Sequence, residues 1–166
     1  MNDYITTKDR HPLEVHVLDE RLREYGLPEH ATPGSAAGDL RAMRLSLDTR
    51  AIEFDSTTIY PGMRALFGTG LVVRVRSSGL VGIVASRSGL SLKHGIRVAQ
   101  GIGVIDSDYT GELGVILTND SEEPYRVRTG DRIAQLMLMP VVQYRVFGAD
   151  AIDETGRSGG FGHTGR

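Results

Sequence analysis

The chain contains no cysteine. That absence removes disulfides, thiolate zinc centres and the Cys-Cys zinc site on which the familiar nucleobase deaminases depend. A strong charge of either sign is also missing. With 19 Lys and Arg against 21 Asp and Glu, the formal net charge is -2. So small a balance offers neither a basic nucleic-acid footprint nor a membrane-binding face. No apolar run approaches a membrane span, and the opening residues, MNDYITTKDRH, are polar and unlike a signal peptide. A soluble cytoplasmic protein with no nucleic-acid or membrane partner is expected. Without export, the sequon Asn119-Asp120-Ser121 carries no weight. Long 3.6-residue periodicity is lacking as well, which argues against a helical protein.

What the chain has instead is glycine and short apolar runs. Its 166 residues, 40% apolar, suit one domain with a real core. The 21 glycines exceed the usual share of about 7%, and tight turns between short strands would use them. Strands are expected at residues 15–18, 63–67, 71–75, 80–85, 115–119, 125–127, 133–139 and 141–147. Gly68-Thr69-Gly70 separates the second of these from the third. Short helical turns fit residues 19–25 and 90–94. The fold class is therefore all-β, a sandwich or distorted barrel of jelly-roll type, whose strand order spacing alone does not fix.

The chain is organised around residues 103–114, GVIDSDYTGELG. Apolar run, polar turn, apolar run predicts a β-hairpin. Asp106 follows Gly-Val-Ile directly, at the expected end of a buried strand, where partial desolvation could hold a base in one geometry. The alternative is an aspartate that closes a turn onto its own backbone. GIGVID also contains Gly-x-Gly, but no helix follows it, so a dinucleotide fingerprint is rejected. His94 and His163 have no metal-ligand spacing to another histidine.

Three other regions carry phosphate-binding chemistry. Arg87-Ser88-Gly89 sets a forked guanidinium beside a hydroxyl and a glycine amide where a strand turns. Gln135 follows two apolar residues in GDRIAQ. The end of the chain, GRSGGFGHTGR (156–166), is too polar and glycine-rich to order itself alone. Arg157, Phe161, His163, Thr164 and Arg166 nevertheless supply guanidinium groups, a stacking face, an imidazole and a hydroxyl. Such a tail could close over an aromatic base bearing phosphates.

Five segments in order resemble the five motifs of the homotrimeric dUTP pyrophosphatases, or dUTPases. They are AAGDL (36–40), SRSGL (86–90), GVIDSDYTGE (103–112), GDRIAQL (130–136) and GRSGGFGHTG (156–165). The resemblance implies a β-barrel domain over 1–148 with a C-terminal arm over 149–166. It implies hydrolysis of dUTP to dUMP and pyrophosphate, which keeps uracil out of DNA and supplies dUMP for thymidylate synthesis. By the same resemblance Asp106 is the catalytic aspartate that activates the attacking water. Tyr109 would stack under the deoxyribose and exclude a 2'-hydroxyl. Arg87, Ser88 and Gly89 would reach the phosphates from a neighbouring subunit, and Gln135 would reach the same chain. Asp39 would act on Mg2+ through metal-bound water. Backbone groups at Val104, Ile105 and Gly114 would line the uracil slot. Phe161 would stack over uracil, while Arg157, Gly162, His163 and Thr164 would contact substrate from the tail.

Three positions depart from the family pattern. Ala37-Gly38 stands where many relatives have Gly and then a larger residue. Ser86 replaces a common Pro, which should loosen that turn. Gln100 occupies the position of an Asn that contacts the base in many bacterial relatives, and offers the same amide one methylene further out. Two other functions share the fold: a dCTP deaminase, which needs an additional glutamate and lacks this tail, and a non-catalytic nucleotide-sensing module. A purely structural β-sandwich leaves the five motifs unexplained.

Overall fold

The structure, a computed structural model, describes residues 13–46, 51–52 and 54–148. In chain order it contains strand β1 (Leu13–Val17), helix α1 (Leu22–Tyr25), β2 (Gly38–Arg41), β3 (Arg44–Ser46), β4 (Ala51–Ile52) and β5 (Ser56–Ile59). There follow β6 (Arg64–Val75), β7 (Leu80–Ser86), helix α2 (Ser88–His94), β8 (Ile96–Val98) and β9 (Ile102–Ile105). The last are β10 (Glu112–Asn119), β11 (Tyr125–Arg128) and β12 (Arg132–Pro140). All described pairings are antiparallel. One sheet runs β4-β3-β6-β10-β8 with β1 also on β6, a second runs β2-β12-β7-β9, and β11 pairs β5. The all-β expectation holds as open antiparallel sheets, whose order does not by itself single out a jelly roll. Among the described residues no helix is long and apolar enough to cross a membrane.

Period-two alternation builds both the core and the wall of the site. In β10, Leu113, Val115 and Leu117 are buried while Gly114 and Ile116 face outward. Phe67, Leu71 and Val73 of β6 join the same core with Leu40, Ile96 and Val98. Burying such side chains stabilises by about 1.5–3 kcal/mol each. Gly38 is confined for a different reason: a Cβ there would stand 2.1 Å from the Pro28 carbonyl oxygen, so the AAGDL segment needs its small residue.

Four expectations are corrected. Residues 103–117 are not a hairpin: β9 pairs β7, whereas β10 pairs β6 and β8, so the turn carries the chain between sheets. Residues 64–75 are one strand, not two. Gly68-Thr69-Gly70 is a bulge inside it, for the register jumps from Gly114 opposite Gly68 to Glu112 opposite Val72. Residues 141–147 form no strand. Past the last rung, Pro140 opposite Leu80, they have no described neighbouring strand, and Val142, Tyr144 and Phe147 are exposed. Ser86 does not loosen its turn, because its hydroxyl accepts the Val98 N–H at 2.9 Å and ties β7 to β8.

Asn119, in the sequon, is wholly buried. Its amide donates to the carbonyls of Ile59 (2.8 Å) and Glu123 (2.7 Å), and its oxygen accepts from the Ser121 N–H (2.9 Å) and hydroxyl (2.7 Å). Asn119→Leu would strand those partners. Destabilisation of about 2–4 kcal/mol is expected, read as a lower urea midpoint at unchanged slope. A loss below half a kcal/mol would contradict the node.

Candidate active site

The turn between the sheets opens onto a cavity of about 450 Å³ lined by Gln100, Val104, Ile105, Asp106, Tyr109, Glu112 and Gly114, among others. Its other wall is the outward face of β6 and β10, including Leu66 and Ile116. β9 is the edge of its sheet, and β10 pairs β8 only over 117–119, so the start of β10 has no described strand on that side. Six sequence-predicted residues therefore meet in one place: Gln100, Val104, Ile105, Asp106, Tyr109 and Gly114.

Asp106 does not use its side chain to make the turn. The Tyr109 N–H donates to the Asp106 main-chain carbonyl at 3.1 Å, and among the described residues the carboxylate has no hydrogen-bond partner. The expected desolvation is not found in the single chain. The strand leading to Asp106 is an edge with Ile102 and Val104 more than half exposed, and Asp106 itself is exposed.

Tyr109 is held more firmly. Its hydroxyl donates to the Glu112 carbonyl at 2.9 Å, and its ring lies over Gly111. A Cβ at Gly111 would fall 2.4 Å from the Tyr109 hydroxyl oxygen. Only glycine leaves the ring its seat.

A second cluster forms on the β2-β12-β7 side. Arg87 Nε donates to Asp39 Oδ1 at 3.0 Å, Arg132 Nη1 to Oδ2 at 3.2 Å, and Gln135 Nε2 to Oδ1 at 3.4 Å. Arg87 Nη1 also reaches the Arg132 carbonyl at 3.0 Å. The register causes this meeting: Gln135 lies opposite Asp39, and Ala134 opposite Ser86. Ser88 and Gly89, exposed at the start of α2, stand beside it in sequence. Sequence reasoning overlooks Arg132 and Glu112, although each sits inside a motif. Their signal is a charge flanking a turn, which is common on any surface.

None of Arg87, Ser88, Gly89 or Gln135 lines the Asp106 cavity. β7 pairs β9 directly, but the register sets Ala85 opposite Ile102 and Gly82 opposite Ile105, so Arg87 and its partners stand at the end of β9 away from Asp106. Arg157, Phe161, Gly162, His163 and Thr164 lie outside the described residues.

The profile of the dUTPase family matches residues 24–165. The chain belongs to the dUTPase family. It is 46% identical over 157 residues to a protein of Stutzerimonas stutzeri named deoxyuridine 5'-triphosphate nucleotidohydrolase, covering 93% of this chain and 98% of that one. A Shewanella baltica protein of the same name is 45% identical over 156 residues, 93% of this chain and 97% of its own. Among solved structures, a variant dUTPase of Staphylococcus bacteriophage 80alpha with dUpNHpp aligns at TM-score 0.74 and 22% identity, over 93% of this chain and 99% of that one. The dUTPase of phage phi11 aligns at TM-score 0.70 and 21% identity, over 86% and 99%. The two phage enzymes share the fold, while the bacterial relatives carry the closer kinship.

Gly111→Ala tests the seat of Tyr109 directly. A crystal structure of that variant should show the ring displaced and the 2.9 Å bond to Glu112 broken. The cost in stability should be no more than about 1 kcal/mol, the worth of one ordinary hydrogen bond. A ring found in its original place would refute the crowding argument.

Proposed function

We propose that the protein hydrolyses dUTP to dUMP and pyrophosphate, in the cytoplasm, as a homotrimer whose active sites are shared between subunits. What carries this reading is the free Asp106 carboxylate, in a cavity with the fixed ring of Tyr109 and the bare backbone of Gly114. Uracil enters between the free edge of β9 and the part of β10 ahead of its pairing with β8, where fixed main-chain groups of Val104, Ile105 and Gly114 complement its donor-acceptor pattern. Gln100 lines that slot and extends its amide toward the base. Buried polar groups of fixed orientation reject a mismatched partner by factors of up to about 10⁴. Tyr109 lies under the sugar. Asp106 takes a proton from a water whose oxygen bonds to the α-phosphorus, while the bond to the β-bridging oxygen breaks and pyrophosphate leaves with that electron pair.

Arg87, Ser88, Gly89 and Gln135 serve the phosphates of a site on another copy, since one chain keeps them apart from its own Asp106. The exposed apolar residues of 141–147 favour such an assembly, as they lack a partner in one chain. Arg157, Phe161, Gly162, His163 and Thr164 close over base and phosphates and exclude bulk water.

Asp39 already faces three donors, and among the described residues no group of three acidic or histidine side chains could hold a metal. Such a lone carboxylate fits magnesium only through a water of its hydration shell, which suits an ion that dehydrates reluctantly. When bound with the triphosphate, magnesium supplies neutralisation of the phosphate charge. The relatives at 45–46% identity are named as nucleotidohydrolases, and nothing in the cavity supplies the additional glutamate of a deaminase outside the wall position Glu112, whose carboxylate is engaged.

The decisive assay is pyrophosphate release from dUTP, dCTP, dTTP and UTP, each with and without magnesium. Only dUTP should turn over quickly. Asp106→Asn should bind a non-hydrolysable dUTP analogue normally and lose turnover by a factor of about 10³ or more. Near-normal turnover removes Asp106 from its role. A chain ending at residue 155 should sediment as three copies yet be nearly inactive. If it is fully active, the tail is not a lid.

A further inference from the structure

The bulge in β6 creates a problem of hydrogen bonding that one side chain solves. Between Gly114 opposite Gly68 and Glu112 opposite Val72, the regular ladder is interrupted, and the Gly70 N–H has no main-chain acceptor across the strand pair. Its acceptor is Glu112 Oε1, at 2.7 Å. The carboxylate lies where a side chain on Gly68 would otherwise be, since a Cβ there would stand 2.7 Å from the same oxygen. Arg44 Nη1 stands 3.7 Å from Oε2, with both side chains about three-quarters shielded from solvent. A carboxylate accepting a backbone N–H makes a bond roughly twice as strong as a neutral one. The main chain of Glu112 is thereby fastened to β6, and that main chain holds Tyr109 through its hydroxyl at 2.9 Å.

From this chain of contacts we propose that Glu112 is a positioning residue that sets Tyr109, and through it the preference for 2'-deoxyribose over ribose. The inference rests on the reading of Tyr109 as the residue beneath the sugar. A rigid ring at fixed height denies space to an extra hydroxyl, whereas a ring free to tilt yields it. Gly111 adds backbone freedom to the turn, and the anchor on Gly70 adds to the hold that the rung opposite Val72 and the Tyr109 bonds supply.

The test compares kcat/KM for dUTP and for UTP in five variants of the full-length protein. Glu112→Asp keeps the charge but is one methylene too short for Gly70, and Tyr109→Phe removes only the hydroxyl. Each should lower the dUTP/UTP ratio by about tenfold, and the double variant should fall no further, because both act on one linkage. Glu112→Gln retains an acceptor oxygen and should stay within about twofold of the parent. A purely structural role would lower the melting temperature and depress both substrates in parallel, leaving the ratio untouched. That result for Glu112→Asp, or a collapse of the ratio in Glu112→Gln, overturns the proposal. Tyr109→Ala separates the two layers. If it leaves the ratio at the parent value, the reading of Tyr109 fails and the Glu112 role falls with it. If Tyr109→Ala changes the ratio while Glu112→Asp does not, only the Glu112 role is lost.

Discussion

Residues 106–111 have to carry the chain from the edge of one sheet into the middle of another, and the site depends on that passage. Had β9 and β10 paired, their main-chain groups would have satisfied one another and the cleft between them would be closed. Because β9 is taken by β7 and β10 by β6, each strand presents a partly unpaired edge to the same space. A planar ligand with its own donors and acceptors can stand in for the missing partner. The cost falls on the connecting turn, which must be short, bent and rigid together. Gly111 leaves room for the Tyr109 ring, and the bonds from Tyr109 to the Asp106 and Glu112 carbonyls stiffen the turn.

The second cluster follows from sheet order in the same way. β12 lies between β2 and β7, so Asp39, Gln135 and Arg87 come together across neighbouring strands although they are far apart in the chain. The register sets them level with Ile102 and beyond, whereas Asp106 follows Ile105 at the other end of β9. The cluster and the Asp106 cavity are thus separate features of one chain, and the apolar stretch after Pro140 stands exposed.

Much of this was legible in the sequence, and the failures have common physical causes. The apolar run at 115–119 announced the strand that β10 forms, though not that it begins at Glu112 or that Ile116 faces outward. Close packing at Gly38 was legible from its small neighbours. Pairing was not: apolar run, turn and apolar run reads the same whether its two strands join each other or leave for separate sheets, since side-chain alternation is local and partner choice is not. Gly68-Thr69-Gly70 read as a break because glycine marks turns and bulges alike. Residues 141–147 have the alternation of a strand, but alternation shows only that one face seeks cover. Arg132 and Glu112 escaped because their importance lies in what they hold, Asp39 and the Gly70 N–H, and both partners are distant in sequence.

Three acids of the motifs end in different electrostatic settings, and the contrast assigns their work. Asp39 is engaged by two guanidinium groups and an amide, so it organises donors. Glu112 spends one oxygen on a backbone N–H and lies near Arg44, which suits an anchor. Asp106 has neither partner among the described residues, yet lies on the wall of the cavity beside the fixed ring of Tyr109. Of these three acids, Asp106 is thus the one whose carboxylate is left uncommitted where the cavity opens, and what sets it apart is the state of its neighbours as well as its place in the motif.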